Sequence, residues 1–201
     1  MSDPRTPLFA FLRPYLKPPG FNDPALLEGL DHHLDLLGVP RAASPAPEPP
    51  TIPDDYWPML SKIESGDRPY IKAASSSASG LYQFIKSTWL NEGGQWGSDP
   101  AKAFGGLRPT VEEQLKRARS FTQKNADYLK RKGLPVNRAS LYACHFFGPV
   151  TAAKVIAADV NKRADHIAGA AATNANPSIL RNKTVGQFLG WLHVKTGQWA
   201  R

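Results

Sequence analysis

Trp57, Leu60 and Glu64 fall at i, i+3 and i+7, so a helix through them would set a carboxylate on the same face as apolar side chains. Burial disfavours the charged form of a carboxylate, which is the condition a general acid needs near neutral pH. Placement in a last helical turn, beside the negative end of the helix dipole, acts in the same direction. A glutamate at the edge of a short apolar stripe, reaching out to solvent, would give the same spacing. Ordinary glycosidases flank the scissile bond with two carboxylates. Between Asp67 and Glu92 the chain has no acid, and Asp67, three residues beyond Glu64, reads as a solvated loop residue.

Other chemistries find few residues to carry them. Cys144 is the only cysteine, which excludes an intrachain disulfide and a cysteine-based zinc site. His32 and His33 lack spaced partners for a metal. There is no GxxxxGK[ST] or GxGxxG phosphate loop, no HExxH and no serine nucleophile elbow, so neither a metal nor a cofactor is expected. Trp89, Trp96, Trp191 and Trp199 are able to stack on sugar rings; Trp89 and Trp191 read as core anchors, and Trp96, in a Gly-rich loop, as the better cleft residue.

The elements that must position these residues read as helices. Asp54 and Asp55 precede a helix with Pro58 in its first turn, ending at Gly66. Leu81, Phe84, Ile85 and Trp89 follow at i, i+3, i+4 and i+8, closed by Gly93-Gly94. Thr110 with Glu113, and Thr184 with Gln187, have capping-box spacing and open helices ending near Gly133 and Gly197. Residues 137–147 and 149–160 read as two more, separated at Gly148-Pro149. The loop from Asp67 to Ser79, with its AASSSAS run, has room for at most a short β-hairpin.

A boundary lies upstream. Residues 40–53 contain six prolines among mostly small or polar residues, an extended linker. It joins an N-terminal helical appendage, residues 1–39, with helical spacing over 8–16 and 24–38, to a main domain over 54–201. Residues 1–50 hold 4 Lys/Arg and 6 Asp/Glu, a charge of −2, and residues 51–201 hold 21 and 11, a charge of +10, which together give the net +8. A basic field favours polyanions without choosing among them, and with no recognised motif, nucleic acid is not expected as a partner. The early apolar run, Leu8 to Leu12, is too short for a signal-peptide core or a membrane helix, so synthesis in the cytoplasm is expected.

Three blocks occur in order: Glu64-Ser65-Gly66, then Gly80-Leu81-Tyr82-Gln83-Phe84, then His145-Phe146-Phe147-Gly148-Pro149. Over roughly residues 54–195 this resembles the soluble lytic transglycosylase family, and the string SSSASGLYQFIKSTW looks like its phage-associated and alphaproteobacterial branches. The resemblance implies a mainly α, goose-type lysozyme-like domain that cleaves bacterial peptidoglycan between N-acetylmuramic acid and N-acetylglucosamine. Glu64 would be the one catalytic acid/base, Ser65 would orient it, and Gln83, with Tyr82 and Phe84, would line the cleft or bind substrate. Tyr82 replaces the family's usual Met. Downstream, His145 falls where Tyr is usual and Phe146 where Asn is usual; the contact the family's Tyr makes with the glutamate would pass to His145 or to Tyr142. A hydrolytic muramidase and a non-catalytic wall-binding module are the alternatives. A wall substrate without a signal peptide suggests holin-type release or virion delivery; a monomer is expected, with residues 1–39 contacting wall, membrane surface or a phage component, or standing as a bare helical appendage.

Overall fold

The computed structural model describes residues 30, 32–39 and 49–201. The predicted helix over 8–16 and most of the proline-rich linker lie outside the described residues. Of the helix predicted over 24–38, residues 32–36 are helical. The chain divides into two units between Pro49 and Pro50, and the second of them carries Glu64.

That second unit is mainly helical, and among the described residues there is no β-strand. The first helix, α1 (Tyr56–Ser65), buries Tyr56, Trp57, Leu60, Ser61 and Ser65. Gly66 ends it at φ 60°, with its amide donating to the Lys62 carbonyl at 3.2 Å, a left-handed cap that glycine adopts without strain. Asp55 is the N-cap residue but makes no capping bond. Its carboxylate accepts instead from Arg138 at 2.9 Å.

The next helix corrects the sequence expectation. The apolar spacing from Leu81 predicts a helix opening there, yet α2 spans only Lys86–Asn91. Residues 80–83 form a turn, with Gln83 at φ 46°, a left-handed conformation that interrupts a right-handed helix. Isolated bridges join Lys72 to Ser79 and Ser79 to Phe84, so the predicted hairpin is reduced to single pairings. Leu81, Phe84 and Trp89 are buried, but Ile85 is exposed. The 3.6-residue spacing here comes from a turn and a helix burying side chains in one core.

The 21-residue α3 (Val111–Arg131) is capped by Thr110, whose hydroxyl accepts from the Glu113 amide at 3.1 Å. Its buried stripe includes Gln114, Ala118, Thr122, Asn125, Ala126 and Leu129, a period that keeps one face inward along about 32 Å. Helix α4 (Arg138–Phe147) opens with an Asn137/Ser140 capping box and buries every residue from Ala139 to Cys144. It packs on α3, on α5 (Pro149–Ala157) and on α9 (Val185–Thr196). Gly148 at φ 78° and Pro149 at the first position of α5 turn the chain sharply between α4 and α5. Three short helices, α6 (Ala164–Ala168), α7 (Ala170–Ala175) and α8 (Pro177–Leu180), fill a stretch with no periodic signal. The Thr184/Gln187 capping box then opens α9, which ends at Gly197, φ 69°.

One buried polar residue ties the irregular loop to this frame. Gln114, on α3, accepts from the Leu81 amide at 2.9 Å and donates to the carbonyls of Pro69 at 3.1 Å and Pro109 at 3.2 Å. Both ends of the 67–85 segment are thereby latched to the longest helix. Gly80 leaves room for the latch: a Cβ there would run into Gln114 Oε1 and the Phe104 ring.

Candidate active site

Glu64 sits in the last turn of α1 with its side chain 19% exposed. Ser65 is buried beside it, its hydroxyl donating to the Ser61 carbonyl at 3.0 Å and accepting from the Arg68 amide at 3.2 Å. These bonds fix the helix end that carries Glu64; they go to backbone and not to the carboxylate. Asp67 is turned to other partners, accepting from Ser61 Oγ at 2.5 Å and lying 3.8 Å from Lys62 Nζ.

Facing Glu64 is the last half of α4. Tyr142, His145 and Phe146 stand at i, i+3 and i+4, so they share a face. Burial, then the charge of Glu64 and the hydrogen bond to it, hold the Tyr142 hydroxyl well above its ordinary pKa. It remains protonated and meets the carboxylate as a donor. His145 Nε2 lies 3.9 Å from Glu64 Oε1, beyond hydrogen-bonding distance. Burial pushes the imidazole pKa down, against the opposing pull of Glu64 and of the Tyr82 carbonyl. The net direction leaves the imidazole neutral near pH 7. His145 is instead caged by rings, edge-on to Phe84 at 6.0 Å and Phe121 at 6.1 Å and stacked with Tyr142 at 6.4 Å.

The third side comes from the latched loop. Gln83 Nε2 donates to the Gly80 carbonyl at 2.9 Å and the Ile71 carbonyl at 3.4 Å, so its amide nitrogen holds the turn, and its oxygen is the atom left to accept from a ligand. Tyr82 and Phe84 are buried. They support the site from behind: Phe84 packs on His145, and burial holds the Tyr82 hydroxyl above its ordinary pKa.

Together Glu64, Gln83, Tyr142, His145 and Phe146 line a cleft of about 670 Å³, within the range of roughly 300–1,000 Å³ usual for ligand clefts. Its far wall is Asn176, Ser178 and Ile179, with Trp191 and Lys195 from α9. Sequence reasoning missed this wall. The short helices carry no periodicity, and only the Asn-Pro turn at 176–177 marks the place. The tryptophans also redistribute: Trp191 lines the cleft and packs on Phe146 at 5.3 Å, whereas Trp96, the expected cleft residue, lines a different groove. Trp89 is in the core, as its spacing predicts. Beneath Glu64, sequence reasoning also passed over Tyr56. It is fully buried, with no hydrogen bond of regular geometry at its hydroxyl. Burial and then the charges of Cys144 and Glu64 raise its pKa well above the ordinary value.

Among the described residues, Glu64 is the only Asp or Glu on the cleft wall. An acid and a tyrosyl donor facing aromatic rings and amides make a site able to pass one proton to and from a polar, uncharged ligand with apolar faces. No protein-family model matches the chain.

Proposed function

We propose that this protein is a peptidoglycan-cleaving enzyme of the lytic transglycosylase type, built on a lysozyme-like domain. The observation that carries the reading is the solitary Glu64: a partly buried carboxyl at a helix end, in a cleft with no second acid among the described residues, next to the Tyr142 hydroxyl. Two-carboxylate glycosidases need a partner acid across the bond; intramolecular cleavage needs one group that gives and then takes a proton. Protonated Glu64 donates to the glycosidic oxygen as the bond to the muramic C1 breaks. The resulting carboxylate takes the proton of the muramic C6 hydroxyl as that oxygen bonds to C1. The products are a free 4-hydroxyl on the leaving sugar and a 1,6-anhydro ring, with Glu64 again protonated. Tyr142 donates to the carboxylate in the intervening state. Trp191 and Phe146 offer flat apolar faces to pyranose rings, and Gln83 and Asn176 offer amides to hydroxyl and acetamido groups.

Purified protein and its Glu64→Gln variant incubated with isolated peptidoglycan test this by mass spectrometry of the released muropeptides. Anhydro products from the parent protein, reduced about 100- to 10,000-fold in the variant, are expected. Reducing-end products would make it a hydrolytic muramidase. No release, with binding retained, would leave a wall-binding module.

A further inference from the structure

The Glu64 cleft continues past the Ser-rich loop. Ala78 and Ile85 line the cleft, and their chain neighbours Ser77 and Lys86 line an adjoining groove of about 420 Å³ that also holds Lys72 and Trp96. Lys72 is shared in turn with a third groove of about 470 Å³ that holds Lys102 and Arg108. Consecutive Cα atoms are about 3.8 Å apart, so the cleft and the first groove adjoin at residues 77–78 and 85–86, and the two grooves adjoin at Lys72, a track of neighbouring depressions.

Charge changes along this track. The cleft wall has one acid and one lysine, Glu64 and Lys195. Among the described residues, the walls of the two adjoining grooves have Lys72, Lys86, Lys102 and Arg108 and no Asp or Glu, although Arg108 also borders a further groove that holds Glu113. Two of these cations already have structural partners: Lys72 Nζ donates to the carbonyls of Ala73 at 3.1 Å and Ser76 at 2.9 Å, and Lys102 pairs with Asp99 at 3.0 Å. Lys86 and Arg108 have no carboxylate partner among the described residues, and both are exposed. The Arg108 guanidinium lies 4.2 Å over the Tyr70 ring, a contact that orients its plane and leaves its edge donors open for a carboxylate.

A ligand that suits the whole track is uncharged where Glu64 acts and anionic nearby. We infer that Lys86 and Arg108 bind the carboxylates of the peptide stems borne by the same glycan strand whose bond lies at Glu64. The inference rests on the glycan-cleaving reading for the identity of the strand.

The test reads binding in the full chain carrying Glu64→Gln, so that no strand is cut, and compares it with the same chain carrying Lys86→Glu and Arg108→Glu as well. The probes are peptidoglycan freed of attached wall polymers, the same glycan strands stripped of stems by an amidase and immobilised, and heparin as an unrelated polyanion. About tenfold tighter binding to stemmed than to stripped strands is expected at low salt, abolished by the charge reversals, with affinity for stripped strands unchanged. High salt should remove the same preference. Equal binding to both strands, a preference that survives the reversals, or heparin binding as tight as stemmed peptidoglycan would overturn the inference. Because no readout needs bond cleavage, a parent protein that prefers stemmed strands but releases no product would refute the catalytic reading alone.

Discussion

Gln114 ties the loop that carries Gln83 to the longest helix, and Gln114→Met isolates what it does. Methionine keeps the length and apolar bulk of the side chain but removes one acceptor and two donors. The Leu81 amide and the Pro69 and Pro109 carbonyls then lose their partners. Each hydrogen bond is worth about 0.5–1.5 kcal/mol net, and an orphaned buried group costs roughly 1–3 kcal/mol. Gln114 is 1% exposed, so water reaches the freed groups only if the loop moves, and a loss of about 3 kcal/mol is expected. In a unit of roughly 150 residues that corresponds to a fall in Tm of about 6–12 °C. Circular dichroism melting checks the magnitude, and hydrogen exchange at the Leu81 amide checks the place: its protection should fall further than that of amides within α4. A Tm within 2 °C of the parent protein, with Leu81 protection unchanged, would refute the latch.

Tyr142→Phe removes the hydroxyl that meets Glu64; hydrogen bonds to charged groups are worth about 1.5–3 kcal/mol, so muropeptide release should slow about 10- to 100-fold with the fold intact, measured as initial rate beside a melting curve. His145 has a lowered folded-state pKa from burial, so between its ordinary pKa of about 6.5 and its folded value the unfolded chain binds the extra proton and stability falls as pH falls. The drop in urea midpoint from pH 7 to pH 5 should therefore be smaller in His145→Gln than in the parent protein. Cys144 is buried and its thiol is pushed up to about 12 by desolvation, so it should resist a thiol reagent at pH 8 in the native state and react at once in denaturant.

Much of the frame was legible in the sequence because its signals are local. Gly66, Gly133 and Gly197 end helices at positive φ, and Thr110, Asn137 and Thr184 cap them with side-chain bonds to backbone amides three residues on; caps and glycine turns depend on a few neighbouring residues and so survive as patterns. The helical position of Glu64, at the spacing it keeps with Trp57 and Leu60, was legible for the same reason, whereas singling it out rested on the resemblance of the three ordered blocks. The tertiary structure decided the rest. It made residues 80–83 a turn where apolar spacing reads as helix, because one core buries Leu81, Phe84 and Trp89 whatever the backbone between them does. It put the Tyr142 hydroxyl, and not the His145 imidazole, within reach of Glu64, since both share a helix face and packing against Phe84 and Phe121 fixes where the imidazole sits. It moved Trp191 into the cleft, built the far wall from short helices without periodicity, and set Gln114 against the Pro69 carbonyl and the Leu81 amide, 45 and 33 residues away in sequence. Contacts of that kind follow from how helices close on one another, which no window along the chain contains.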